Sequence, residues 1–333
     1  MRIDFENHFY SERFLEVVKS RTEIPYMEPD TLTIHHGGGS CSLPIKPIVP
    51  ALVDLGEQRI SEMDKCGVDV AIVSSSLGIE QLPAGLALEA AKESNDTLYM
   101  GICKYPERLR GYAILSVDDI GDSVKELERC SKDLGFVGWN AFSNYDGEML
   151  DSPRFFPLLR KAAELDMLVY IHPCFPAIPA LHEYGPAMAA AGFGFAVDVS
   201  TCLLRMIFAG IFDALPNLKV MIGHLGEGLP FSLDRLDSQA ARTNRNSAAV
   251  NKELPSYYFR HNIWVSTSGN FSSAAFKCAK DVLGIDRIVM GTDYPMESLE
   301  RSAEFVDTLE LSKGDREKIM FRNGMRDFKL NLK

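Results

Sequence analysis

Strand-like and helix-like segments alternate along the whole of this 333-residue chain, and no other feature limits its choice of fold as strongly. Short apolar runs rich in β-branched residues and bounded by turn signals lie at Ile3–His8, Val68–Ser74, Gly111–Leu115, Gly135–Asn140, Leu168–His172, Leu218–His224, Asn262–Ser268 and Arg287–Asp293. Such runs read as buried parallel strands. Amphipathic stretches separate them, among them Ala51–Cys66, Leu86–Tyr99, Ile120–Leu134, Pro153–Leu165, Val199–Leu215 and Ser272–Leu283. Eight strands in alternation with helices predict an α/β fold, a (β/α)8 barrel. An open doubly wound sheet is the alternative, but no glycine-rich fingerprint follows the first strand. Composition does not shift along the chain, so residues 1–333 read as one domain with an inserted loop at about 21–50.

In such barrels chemistry gathers where the strands end. Glu6 and His8 in IDFENH, His172 in LVYIH, His224 in KVMIGH and Asp293 in RIVMGTD all stand at the C-terminal ends of apolar runs. Each alone would be a polar group capping a strand. Together, two carboxylates and three imidazoles predict a metal site. Glu6 and His8 are two apart, so on a regular strand both point to one face and can reach one cation.

Charge and cysteine usage narrow the function. A formal net charge of −11 and a pI near 5.2 argue against a nucleic-acid or anionic-membrane partner and fit a small-molecule substrate. Seven scattered cysteines without a C-x-x-C pair suit a reducing, cytoplasmic setting and read as mostly buried thiols. Cys174, two residues after His172, could share its cation only if the strand ran through Pro173. The first ten residues, MRIDFENHFY, read as a strand and not as a signal peptide, and the apolar stretch from about Pro186 to Val197 is too short to cross a bilayer. Two excursions break the alternation. Residues 21–50, containing IHHGGGSCSLP, read as a surface loop or lid more readily than as a source of ligands from His35 or His36. The second, Pro173 to Asp198, is apolar and Gly/Ala-rich and could wall a pocket for a flat substrate, with Tyr10, Trp139, Phe142, Phe193 and Phe195 as candidate ring partners.

The motifs ENHF at 6–9, SNDTL at 94–98, YPERLRGYA at 105–113, IHP at 171–173, GHLGEGLPF at 223–231 followed by Arg235, YYFRHNIWVSTSG at 257–269 and MGTDYPME at 290–297 span nearly the whole chain. In these segments it resembles the amidohydrolase superfamily, and within it the branch of metal-dependent, non-oxidative decarboxylases of aromatic and related acids. That resemblance implies one divalent metal held by Glu6, His8, His172 and Asp293, with His224 beside the substrate and hydrogen-bonded to Glu227. Superfamily members with two metals bridge them through a carboxylated lysine on the fourth strand, where this chain offers Asn140, so a mononuclear site follows. A Glu-x-His start is typical of the aromatic-acid decarboxylases, and the family's dimers and tetramers imply a homodimer or homotetramer. Asn140 and Arg235 are candidate substrate contacts.

The chemistry of aryl decarboxylation agrees. Releasing carbon dioxide from a ring needs an electron sink, which an ionised hydroxyl ortho to the carboxylate provides when a cation binds both groups. Asp293 is then the candidate proton donor to the ring carbon, and His224, its tautomer fixed by Glu227, orients substrate or moves protons. A site of two carboxylates and two imidazoles suits Mn²⁺ or Mg²⁺ as well as Zn²⁺. The alternatives are a hydrolase of a lactone, ester or amide, a hydratase of an unsaturated acid, or a non-catalytic metal-bound ligand-binding protein.

Overall fold

The computed structural model describes residues 1–37, 41–243, 248–330 and 332. Eight parallel strands lie side by side in chain order: β1 (Ile3–Phe9), β2 (Val70–Ser75), β3 (Leu109–Ala113), β4 (Gly138–Phe142), β5 (Leu168–His172), β6 (Lys219–Ile222), β7 (Ile263–Ser266) and β8 (Ile288–Val289). The last strand meets the first through backbone hydrogen bonds: Phe5 N–H to Met290 O at 2.9 Å, Asp293 N–H to Glu6 O at 2.7 Å and His8 N–H to Tyr294 O at 2.7 Å. This seam completes the (β/α)8 barrel expected from the alternation. Every residue of β1, β2, β4 and β5 is buried, as required of parallel strands covered on both faces.

Local chemistry explains where expected helices break. The run expected as one helix over Ala51–Cys66 divides into Val49–Val53 and Glu57–Lys65, because the Asp54 carboxylate accepts the Arg59 N–H at 2.6 Å and opens a second helix. Val199–Leu215 divides at Gly210, whose φ of 69° stops the helix Gly194–Phe208 before Ile211–Ala214 begins. The insertion is not a loose loop. Strands Tyr26–Glu28, Thr33–His36 and Cys41–Pro44 pair antiparallel, with Ile34, His36 and Cys41 buried. His35 stacks on Tyr26 and lies 2.9 Å from Glu28, a structural role. The Gly38–Ser40 part of the glycine-rich segment lies outside the described residues.

One expectation needs correcting. The apolar stretch continues past Asp198, and Pro186–Phe208, at 23 residues, is by length and composition enough to cross a membrane. Within that stretch the helix Gly194–Phe208 turns one face to the main core, where Val199, Cys202, Leu203, Met206 and Ile207 are buried, and the Asp198 carboxylate accepts from Ser143 Oγ and Asn144 Nδ2. All seven cysteines are free, four of them buried.

Candidate functional site

The seam between β8 and β1 carries the site. Between Asp4 and Asn7 the register of β1 against β2 shifts, so β1 is bulged there and not the regular strand that the two-residue spacing of Glu6 and His8 suggested. The bulge lets Phe5 join the inner cluster with Ile72, Tyr112 and Tyr170 while the next residue, Glu6, turns to Tyr170 as well. Buried side chains hold it in place. Asp4 accepts from Glu6 N–H at 3.1 Å, Asn7 Nδ2 at 2.8 Å, Thr292 N–H at 2.9 Å and Thr292 Oγ1 at 2.6 Å, tying the bulge to the turn that bears Asp293. Burial raises the Asp4 carboxyl to about 6 against the pull of those four bonds. From the other side the buried Arg59 donates to the Asn7 side chain, to His8 O at 2.9 Å and to Ala51 O at 2.7 Å.

On this frame the ligand atoms of Glu6, His8 and Asp293 lie within 4.8 Å of one another. The Glu6 carboxylate accepts from Tyr170 Oη at 2.6 Å and from Ser266 Oγ and Ser268 Oγ at 2.5 Å each, which fixes its rotation. His8 Nδ1 is 3.1 Å from Ser74 Oγ. Its Nε2 sits 3.0 Å from Asp293 Oδ1 without the alignment of a hydrogen bond, so a buried imidazole nitrogen faces the carboxylates unpartnered. His172 enters from β5, its ring edge-on to His8 at 4.9 Å between centroids. Burial, helped by His8, pushes His172 down to about 3, and its Nδ1 donates to Pro173 O at 2.8 Å, leaving a neutral imidazole with a free Nε2 lone pair. Two carboxylates, one orphaned imidazole nitrogen and a second neutral imidazole are a donor set suited to one divalent cation.

His224 completes the group from the turn after β6. Its Nδ1 lies 2.5 Å from Glu227 Oε1, and its Nε2 lies 3.8 Å from both Glu6 Oε1 and Asp293 Oδ2. Burial opposes its charge, but the Glu227 carboxylate, with Asp293 and Glu6, overcomes this and holds His224 protonated well above the usual imidazole range. Asp293 responds in kind: burial would raise it, yet the close imidazoles of His224 and His8 keep its carboxylate below the usual range. The turn is strained. His224, Leu225, Glu227 and Asp293 have φ between 53° and 61°, a conformation costing about 1–3 kcal/mol for a residue with a side chain. Gly269, φ 59°, makes room for the histidine, since a Cβ there would meet His224 Cδ2 at 2.6 Å.

Glu6, His172, His224 and Asp293 form the polar floor of a cavity of about 200 Å³. Ser42, Leu43 and Pro44 of the insertion, with Leu77, Phe175, Pro186, Ala190, Phe195 and Met296, line the remainder. The insertion therefore contributes a wall, while His36 is buried behind it against Phe175. Two expected substrate contacts are not brought here. Asn140 is fully buried in the barrel with its Nδ2 donating to Ser75 O at 2.8 Å, and Arg235 is on the exposed face of helix Leu229–Thr243. Cys174 also stays away, its N–H bonded to Ser143 Oγ. Of the aromatic candidates Phe195 alone lines the cavity; Tyr10, Trp139 and Phe142 are core residues and Phe193 is exposed. Sequence reading missed Tyr170, Ser266, Ser268, Asp4 and Arg59. The first three repeat the pattern that singled out the candidate ligands, polar side chains two apart at a strand end: Tyr170 with His172, Ser266 with Ser268.

The arrangement has relatives. The chain is 33% identical over 290 residues to γ-resorcylate decarboxylase of Polaromonas sp. strain JS666, covering 84% of this chain and 89% of that one. Among solved structures, 5-carboxyvanillate decarboxylase from Sphingomonas paucimobilis superposes with a TM-score of 0.88 at 26% identity over 98% of each chain. A dihydroxybenzoic acid decarboxylase from Polaromonas sp. JS666, with bound manganese and the inhibitor 2-nitroresorcinol, gives 0.85 at 30% identity over 99% of this chain and 97% of that one. A family described as Amidohydrolase matches residues 57–330, a span that takes in His172, His224 and Asp293, and the chain belongs to it.

Proposed function

We propose that this protein is a metal-dependent, non-oxidative decarboxylase of a hydroxylated aromatic carboxylic acid. The observation that carries the reading is the convergence of Glu6, His8 and Asp293 within 4.8 Å, with His224 placed 3.8 Å from both carboxylates. Its named relatives act as decarboxylases of such acids. Glu6, His8, His172 and Asp293 would hold a single divalent ion, Mn²⁺ by analogy with the manganese-bound relative, with Zn²⁺ and Mg²⁺ as alternatives. When bound, that ion supplies Lewis-acid polarisation and a template for the substrate's oxygens.

The chain's own residues do the rest. Tyr170, Ser266 and Ser268 keep Glu6 from rotating, so the floor of the cavity is rigid. His224, protonated and pinned by Glu227, presents an N–H to an anionic group of the substrate. Asp293 would take the proton that the ortho hydroxyl gives up and deliver it to the ring carbon that loses carbon dioxide. The insertion and residues Pro186–Phe195 cover the ring and exclude water. We further propose that residues 1–333 act as one domain, that the protein is a homodimer or homotetramer, and that it works in the cytoplasm, where its free thiols are stable.

The test is a panel of hydroxybenzoates with Mn²⁺-loaded protein. Carbon dioxide should be released from acids with a free ortho hydroxyl and not from the same acids with that hydroxyl methylated. Equal rates on both would remove the ionised hydroxyl from the mechanism, and turnover of lactones with no carbon dioxide from the panel would replace decarboxylase by hydrolase.

A further inference from the structure

Asp198 is a buried carboxylate that the proposed reaction does not use. It is 1% exposed, so its partners come from its own chain, and among the described residues no lysine or arginine pairs with it. A buried carboxylate without a cation is costly to keep. Its two donors show where it acts. Ser143 Oγ and Asn144 Nδ2 both donate to Asp198 Oδ2, the second at 2.7 Å. The Asn144 amide is oriented in turn by Gly147 N–H, which donates to its Oδ1 at 3.0 Å.

Ser143 carries the connection onward. Its Oγ accepts the Cys174 N–H at 2.9 Å. That N–H belongs to the same planar peptide unit as Pro173 O, and Pro173 O accepts His172 Nδ1–H at 2.8 Å. Ser143 N–H also donates to His172 O at 2.9 Å, which fixes the near side of the same turn. An unbroken series of hydrogen bonds therefore runs from the Asp198 carboxylate, through one hydroxyl and one peptide, to the ring whose Nε2 faces the other candidate ligands. Every member is buried, and in such surroundings each bond polarises the next.

Resting on the metal-site reading, we propose that Asp198 is a positioning residue for His172: through Ser143 it fixes the Pro173–Cys174 peptide, keeps the ring proton on Nδ1 and strengthens Nε2 as a metal donor. A carboxylate set directly against a ligating imidazole is the shorter form of this device. Here a serine and a peptide stand between the two. The carboxylate comes from the helix Gly194–Phe208, which also brings Phe195 to the cavity.

The test reads metal affinity and ring protonation, not turnover. Mn²⁺ affinity, measured by chelator competition, should fall about tenfold or more in Asp198→Asn, which keeps the shape and loses the charge, and in Ser143→Ala, which cuts the series. The double variant should bind within about threefold of the weaker single variant, since both changes break one path. Ser143→Thr, which retains the hydroxyl, should bind within about threefold of the unaltered protein. Asn144→Ala removes the other donor to Asp198 and leaves the path intact, so it should lower Tm while metal affinity stays within about threefold. Near-normal affinity in both Asp198→Asn and Ser143→Ala, or an equal loss in Asn144→Ala, would make Asp198 a purely structural group and overturn the proposal. Should Asp198→Asn not fold, Ser143→Ala against Ser143→Thr decides alone, and equal affinities in those two overturn it. In metal-free protein isotopically labelled at its histidine nitrogens, the Nδ1–H signal that His172→Ala abolishes should exchange with water faster in Ser143→Ala. If it does, but His172→Ala retains its metal, the link from Asp198 to the ring stands and the reading of His172 as a ligand falls.

Discussion

The two sides of the cavity are built by opposite means. Along the β8–β1 seam almost every polar atom has a named partner: four donors on Asp4, three hydroxyls on Glu6, three backbone carbonyls and a side chain for Arg59. The facing wall, from Leu43 to Met296, makes only non-directional contact. Hydrogen bonds fix atoms within tenths of an ångström, which proton transfer and metal binding require. Apolar contact fixes volume and excludes charge. Reaction type and substrate choice therefore reside in different parts of the chain and should fail separately.

The largest effect should come from removing a donor of the proposed metal site. His172→Ala is expected to lower metal content from about one equivalent to near zero, measured by elemental analysis of purified protein, with activity lost alongside. Two equivalents in the unaltered protein would contradict a mononuclear centre. His224→Asn should leave metal content intact and lower kcat by roughly a hundredfold or more; loss of metal would instead make His224 a ligand. Ser268→Ala should weaken the metal by about tenfold to a hundredfold, read by chelator competition, because Glu6 loses one of its three donors. On the wall, Phe195→Ala should raise KM by roughly tenfold and leave metal affinity unchanged, the signature of lost substrate burial alone. An equal fall in metal affinity would erase the division between floor and wall.

Behind the wall the smallest effect is expected. His36 is fully buried with no hydrogen-bond partner for either ring nitrogen, and burial pushes it down to about 4. The unfolded chain takes up this proton near the ordinary value of 6.5 and the folded chain does not, so stability falls as pH drops from about 6.5 to 4. His36→Phe should remove part of that dependence, seen as a flatter plot of Tm against pH by a few degrees. An unchanged slope would mean that His36 does not control it.

Much of this was legible in the chain. Strand positions followed from apolar runs, and the five polar residues ending them were brought together, because in a parallel barrel all C-terminal strand ends share one face. What could not be read was how β1 bends. The bulge at Glu6 depends on Asp4, Asn7, Thr292 and Arg59, residues up to 288 positions apart whose meeting only the closed barrel determines. Arg59 in particular lies in a stretch whose pattern is simply that of an exposed amphipathic helix. Asn140 stands apart for a related reason: its position on β4 is that of a ligand in two-metal relatives, but its Nδ2 donates across the barrel to Ser75 O on β2, two strands away. The insertion reads as a loop in the sequence because its strands are only three or four residues long and a glycine run separates the second from the third.

The three hydroxyls on Glu6 come from β5, from the end of β7 and from the turn that follows β7, and neither strand is adjacent to β1. A neutral imidazole in place of that carboxylate has one acceptor nitrogen where the carboxylate has two oxygens. Even with Ser266 turned to Ser268, 2.7 Å away, at least one of the three hydroxyls would then be buried without an acceptor, at about 1–3 kcal/mol. Passing between a Glu-x-His and a His-x-His start is thus not a neutral single step: the exchange at position 6 costs less when at least one of positions 170, 266 and 268 changes with it. Lineages that have crossed should also change at least one of the three hydroxyl positions, so a pair of sequences differing at position 6 should differ again, more than 160 residues downstream, in the lettering of two distant strand ends.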